Sequence, residues 1–224
     1  MLRRETRRSR LVCLSTMKQR RSRGSIPRRG TMKKNEPYTF VGREQRPIVI
    51  LGIDPGLAFL GLAAVAGIPG TRSITEARIF RSVPSAKKLS VAKADDRFRR
   101  ARELAAFASA AVAEIRPDLV AIEAMSWPRN QTAVVSIALS WGVLAAALVG
   151  LPVVQAQPRV WRRYHDASGS ETAAHKFIDR SERGAAQLRE FKSADRPHVY
   201  DAAGVALWAT TTDEYLAIMR GRFA

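Results

Sequence analysis

Asp54, Glu123, His198 and Asp201 are the residues whose types and settings suggest chemistry. Asp54 closes the apolar run Ile48-Val49-Ile50-Leu51-Gly52-Ile53 and is followed by Pro55-Gly56. Glu123 closes a second run, Leu119-Val120-Ala121-Ile122. Such runs read as buried strands. An unpaired carboxylate inside them is costly, so both acids are expected at strand ends. If the two strands are neighbours, two carboxylates share the carboxyl edge of a sheet, where open α/β sheets bind ligands. Their mutual repulsion calls for a cation, and oxygen donors with few nitrogen partners favour Mg²⁺ or Mn²⁺. His198 and Asp201 stand three apart on an expected final helix, hence on one face, and can add an imidazole and a third carboxylate. Asp195, ahead of that helix, reads more simply as its cap. Each residue also has a plainer reading: Asp before Pro-Gly as a turn residue, Glu123 as a satisfied strand-end acid, a lone helical His as surface or core.

The elements that must position these groups are legible from hydrophobic spacing. Ile48–Ile53, Leu60–Gly67 and Thr71–Arg81 read as three successive strands, the first two paired as a hairpin. Lys93–Ile115 has helical spacing through Phe98, Ala101, Leu104, Ala108 and Val112, with Pro117 beyond its end. Leu119–Ile122 is a fourth strand, about 131–149 an apolar helix, and Val153-Val154 a short strand. Pro158–Tyr164 and Glu171–Glu190 read as helical, joined by the polar loop Asp166–Ser170. Pro197 starts a last helix running through Ala209. Three strands followed by alternating helix and strand indicate an α/β fold, a mixed sheet flanked by helices. Thr132–Gly150 is long enough to span a bilayer if helical. Its internal Gln and Ser residues, the Gly150-Leu151-Pro152 break and the absence of biased basic flanks favour a buried or dimer-forming helix instead, so no membrane is expected.

Charge separates the chain into two parts. The 224 residues carry 38 Lys+Arg against 20 Asp+Glu, a net +18, and 46% are hydrophobic, enough for a core. Residues 1–47 hold 15 of the basic residues and three of the acids, a local +12. That segment has no apolar period and reads as a disordered basic tail, with 48–224 as the folded domain. Three readings of it stay open: a genuine tail in loose contact with phosphates, an Arg-rich transit peptide, or a consequence of a misplaced start, since Met17 and Met32 are also possible starts. A single cysteine, Cys13, excludes an internal disulfide and points to a reducing compartment. A cytoplasmic, nucleoid-associated location is expected, with a mitochondrial one as the alternative. The positive balance favours a polyanionic partner, with nucleic acid the commonest.

Taken together, Ile50-Leu51-Gly52-Ile53-Asp54-Pro55-Gly56, Leu119–Glu123 and His198-Val199-Tyr200-Asp201-Ala202-Ala203-Gly204-Val205-Ala206 resemble, in family order, the motifs of the RuvC Holliday-junction resolvases. That family lies within the RNase H-like (retroviral integrase) superfamily. The resemblance spans about 48–212 and implies an RNase H-like mixed five-stranded sheet with its first three strands antiparallel. It also implies a metal-dependent endonuclease that resolves four-way junctions and other branched DNA in recombination and repair. Asp54, Glu123 and Asp201 match the family's carboxylates, and His198 falls where members carry Asp or His. Two Mg²⁺ or Mn²⁺ ions, about 3.5–4 Å apart, would serve an in-line attack of water. Asp54 would bridge both ions, Glu123 and Asp201 would each hold one side, and His198 would ligate or orient the water.

The resemblance further implies a homodimer supported by the apolar helix near 131–149, with Trp141 and Leu144 as candidates for its face or for the monomer core. Arg159, Arg162, Arg163, Lys176 and Arg180 resemble the family's junction-contacting basic stretch, with a solvated charged face as the alternative. Trp127, next to Pro128 and Arg129, offers a stacking surface for an unpaired base, or rim packing. The chain departs from the family at Leu57–Leu60 and in the loop from His165, and Lys176 sits beside His175. Those departures leave substrate preference open. Another RNase H-like nuclease acting on RNA–DNA hybrids, or a DNA-binding protein that no longer cuts, are the alternatives.

Overall fold

The computed structural model describes residues 46–68, 71–86, 92–125 and 131–223. The expected tail lies outside them as far as Gln45, as do Trp127 and Arg129. Five strands, β1 (Ile48–Asp54), β2 (Phe59–Gly67), β3 (Ser73–Arg81), β4 (Leu119–Glu123) and β5 (Val153–Ala156), form one sheet in the order β3-β2-β1-β4-β5. The first three are antiparallel neighbours, while β4 runs parallel to both β1 and β5. This is the five-stranded mixed sheet expected from the sequence.

Strand alternation sorts the core into two layers. Ile48, Ile50, Ala63, Val65, Leu119 and Ala121 face one side. Leu51, Ile53, Leu60, Leu62, Val120 and Ile122 face the other. The second side is covered by α1 (Lys93–Ile115) through Leu104, Ala108 and Ala111, and by α2 (Gln131–Ala147) through Leu144. The first is covered by α3 (Pro158–His165), α4 (Glu171–Ser181), α5 (Arg196–Ala209) and α6 (Asp213–Phe223). Burial of one large aliphatic side chain contributes about 1.5–3 kcal/mol, so each layer depends on its few leucines and isoleucines. Among the described residues no helix is long and apolar enough to cross a membrane.

The structure differs from the sequence expectation in two places and decides an alternative in a third. Glu171–Glu190 is not one helix: α4 stops at Ser181, the chain turns at Gly184 with φ 80°, and Ala185–Glu190 form a 3-10 helix. The turn lets the Arg183 carbonyl accept the Ile74 amide at 2.9 Å, so sheet pairing interrupts the helix. Beyond Ala209 a further helix, α6, packs its buried Tyr215 on the core, and its Arg222 pairs with Asp118. Of the two candidates for a dimer face, Leu144 is fully buried within the monomer and Trp141 is partly buried against the same layer.

Candidate active site

Parity and register bring the first two acids together. Ile53 pairs with Ile122 across the parallel β1–β4 ladder, and Asp54 and Glu123 are the next residues along. Both follow the alternation that points Gly52 and Ala121 toward α5, so both carboxylates emerge on the α5 side of the carboxyl edge. The helix itself lies unusually close. A Cβ at Gly52 would collide with the Ala202 carbonyl, and one at Gly61 with the His198 carbonyl. With hydrogen at those positions, the α5 backbone rests on the backbones of β1 and β2. The segment carrying His198 and Asp201 is thereby laid across the strand ends.

The four residues predicted from sequence converge. Ligand oxygens of Asp54, Glu123 and Asp201 all lie within 4.8 Å of one another. The His198 Nδ1–H donates to Asp54 Oδ2 at 2.6 Å, and the imidazole is stacked on Phe59, with centroids 5.2 Å apart and planes 9° apart. His198 therefore meets the cluster through Asp54.

Burial, and behind it the crowding of like charges, shows in the proton affinities of the acids. Burial, with the nearby charges of Asp201 and Asp54, pushes the Glu123 carboxyl up to about 8; Arg162 and a hydrogen bond from Trp161 oppose this. Burial also raises Asp201, against a hydrogen bond from His175. The hydrogen bond to Asp54 raises His198. Three carboxylates in one half-enclosed place repel unless protons or a cation intervene. Hard oxygen donors at this spacing could hold a metal ion.

A second circle of groups was not foreseen. The Trp161 Nε1–H donates to Glu123 Oε2 at 3.1 Å. The His175 Nε2–H donates to Asp201 Oδ1 at 2.6 Å. Arg162 reaches Glu171 at 2.9 Å and Asp201 at 3.7 Å, with its guanidinium over the Trp161 ring. Glu171, His175 and Asp201 form another group whose ligand atoms lie within 4.8 Å, but Arg162 already supplies positive charge to it. The one sequence signal for these contacts was Glu171 and His175 standing four apart on a helix. Nothing local linked Trp161 to Glu123.

The expected DNA-contacting residues divide. Arg159 and Arg163 on α3, and Lys176 and Arg180 on α4, are exposed. Arg162 turns inward to the acids. The loop between the two helices is ordered by Asp166, which accepts the Ser168 amide at 3.0 Å. Trp127 and Arg129 lie outside the described residues. Asp195 does not cap α5: no side-chain cap bond forms, and the buried carboxylate pairs with Arg81 on β3.

No family model matches the chain. Among curated proteins, it is 31% identical over 157 residues to the crossover junction endodeoxyribonuclease RuvC of Salinispora arenicola, covering 69% of this chain and 81% of the relative. It is 30% identical over 176 residues to the enzyme of the same name from Parafrankia sp., covering 76% of this chain and 90% of that one. Among solved structures, T. thermophilus RuvC in complex with Holliday junction substrate superposes with a TM-score of 0.58 at 20% identity. The match covers 78% of this chain and 97% of that one, a likeness of fold.

Proposed function

Since the chain belongs to the family of the crossover junction endodeoxyribonuclease RuvC, we propose that it is a divalent-metal endonuclease that cuts branched DNA and resolves Holliday junctions. The observation that carries this reading is the convergence of Asp54, Glu123 and Asp201, from three distant segments, to within 4.8 Å at one sheet edge. Mg²⁺ or Mn²⁺, as a pair, is the cofactor we infer, held by these carboxylates. When bound, such ions supply charge neutralisation and Lewis acidity for phosphodiester hydrolysis. The side chains then have distinct tasks. Asp54 accepts the hydrogen bond of the His198 Nδ1–H, which leaves Nε2 as the ring atom that can orient water or the phosphate. Phe59 holds that imidazole flat against itself. Arg159, Arg163, Lys176 and Arg180 supply phosphate contacts, which position DNA without reading its sequence.

We also infer a homodimer, with α2 at its interface. The solvent-facing positions of α2 include Val135, Ala138, Gly142, Ala145 and Ala146, an uncharged face that a second copy would cover. Ala145→Arg should give a monomer by light scattering, and a variant that stays dimeric would remove α2 from the interface.

The direct test of the activity is nicking of a synthetic four-way junction with Mg²⁺ and with EDTA. The wild-type chain should cut only with Mg²⁺. Failure to cut any branched substrate while still binding it would mean a protein that has kept the fold and lost the chemistry.

A further inference from the structure

Trp161 is fully buried on α3, the helix that follows β5 and precedes α4 in the chain. Its N–H reaches Glu123 Oε2 at 3.1 Å. Its ring is stacked on the His175 imidazole, with centroids 6.4 Å apart and planes 13° apart, and His175 in turn reaches Asp201 Oδ1 at 2.6 Å. One indole therefore touches Glu123 directly and Asp201 through a single intermediary. Room for it is made by α5: a Cβ at Gly204 would stand 2.5 Å from Trp161 Cζ3 and 2.7 Å from Cε3. Tyr200 closes the other side of His175, with centroids 5.2 Å apart. These groups lie behind the cluster and are separate from the four residues that form it.

The terminal torsion of a carboxylate is broad, with no strongly preferred angle. Three carboxylates that repel one another would rotate apart before any cation arrived. A donor fixed on one oxygen removes that freedom and leaves the other oxygen for a cation. Groups that orient metal-binding side chains in this way are commonly worth 10–100-fold in metal affinity.

We infer that Trp161 and His175 are positioning residues that hold Glu123 and Asp201 in the arrangement a divalent cation requires, with Gly204 the small residue that seats the indole. The inference rests on the proposed metal site and goes on to say what preorganises it. Trp161→Phe keeps an aromatic ring beside His175 but removes the N–H together with part of the indole that rests on Gly204, so it also leaves a cavity. His175→Leu removes the donor to Asp201, whereas His175→Gln can return an amide donor at nearly the same place.

The test is Mn²⁺ binding by titration calorimetry on the full chain without DNA, alongside melting temperature and junction affinity in EDTA. Trp161→Phe and His175→Leu should each bind Mn²⁺ about tenfold more weakly at a temperature where both are fully folded, with junction affinity close to wild type and a lower melting temperature for Trp161→Phe. His175→Gln should recover most of the loss. In the cutting assay the deficit should close at high metal concentration. Wild-type Mn²⁺ affinity in both Trp161→Phe and His175→Leu would overturn the inference while leaving the metal site intact. A His175→Gln variant as weak as His175→Leu would reduce His175 to packing. If the wild-type chain itself takes up no Mn²⁺, the reading of the site fails, and this inference with it.

Discussion

On the α1–α2 face, the strands meet apolar side chains: Leu51, Ile53, Leu62, Val120 and Ile122 pack on Leu104, Ala108 and Leu144, with Phe80, Phe107 and Trp141 packed against them. On the α5 face, the same strands meet a helix backbone at Gly52 and Gly61, and beyond their ends lie carboxylates, imidazoles and a buried indole. The strands serve both faces by alternation alone, since Ile53 and Asp54 are adjacent and point to opposite layers. The contrast separates a face that is core alone from a face that carries core and chemistry together. The α1–α2 layer contributes area removed from water. The α5 layer gives up some of that for close approach and for three acids that repel.

Substitutions should break this contrast in different ways. The largest effect is expected from Asp54→Asn or Glu123→Gln. Cutting of a four-way junction should fall by more than about a hundredfold, beyond the usual cost of losing even a ligand's outer partner, while junction binding in EDTA persists. Equal cutting by wild type and both variants would refute the site assignment. Next is Leu104→Ala, in the opposite layer. It should lower unfolding free energy by about 2–5 kcal/mol in chemical denaturation, and the folded fraction should still cut at a low temperature. Loss of cutting in fully folded protein would show that the two faces are coupled.

A smaller effect is expected from pH. The folded Glu123 carboxyl titrates near 8, against an ordinary value of 4.5. A raised value means that its stabilising contribution is full below the ordinary value and is lost as pH rises toward 8. His198, also raised, adds a loss in the same direction. Metal-free protein should therefore melt several degrees lower at pH 8.5 than at pH 5, on the order of a few kcal/mol. Mg²⁺ should restore much of the difference, and Glu123→Gln should flatten the profile. A flat wild-type profile would mean that the cluster is less crowded than its geometry implies. The smallest effect concerns neither face. Removing residues 1–46 should weaken junction affinity and shallow its salt dependence, with cutting retained at saturating DNA. Loss of cutting at saturation would give the segment a role beyond charge.

β1, β4 and α2 were readable as uncharged apolar runs, and α1 and α5 by helical spacing. Asp54 and Glu123 could be found because each closes such a run, and His198 and Asp201 because helical spacing pairs them. The outer contacts leave no such mark. Trp161 and Glu123 are 38 positions apart, His175 and Asp201 26, and Arg81 and Asp195 114. In a linear reading each of these is an ordinary core aromatic, helical histidine or helix-capping acid. What pairs the first two is the packing of α3 and α4 on α5, and the third joins β3 to the start of α5. The break after Ser181 escaped for a similar reason: the helical pattern continues, but pairing with β3 at Ile74 takes precedence.

The seating of α5 on Gly52 and Gly61 has a consequence for how this molecule tolerates change. Main-chain atoms do not swap rotamers or shrink when a methyl group is lost, so the gap between helix and strands works as a fixed spacer. Drift among the leucines of the far layer can erode the melting point step by step while the acids keep their mutual distances. On that far side, durability can be adjusted without moving the main chain that sets the chemistry.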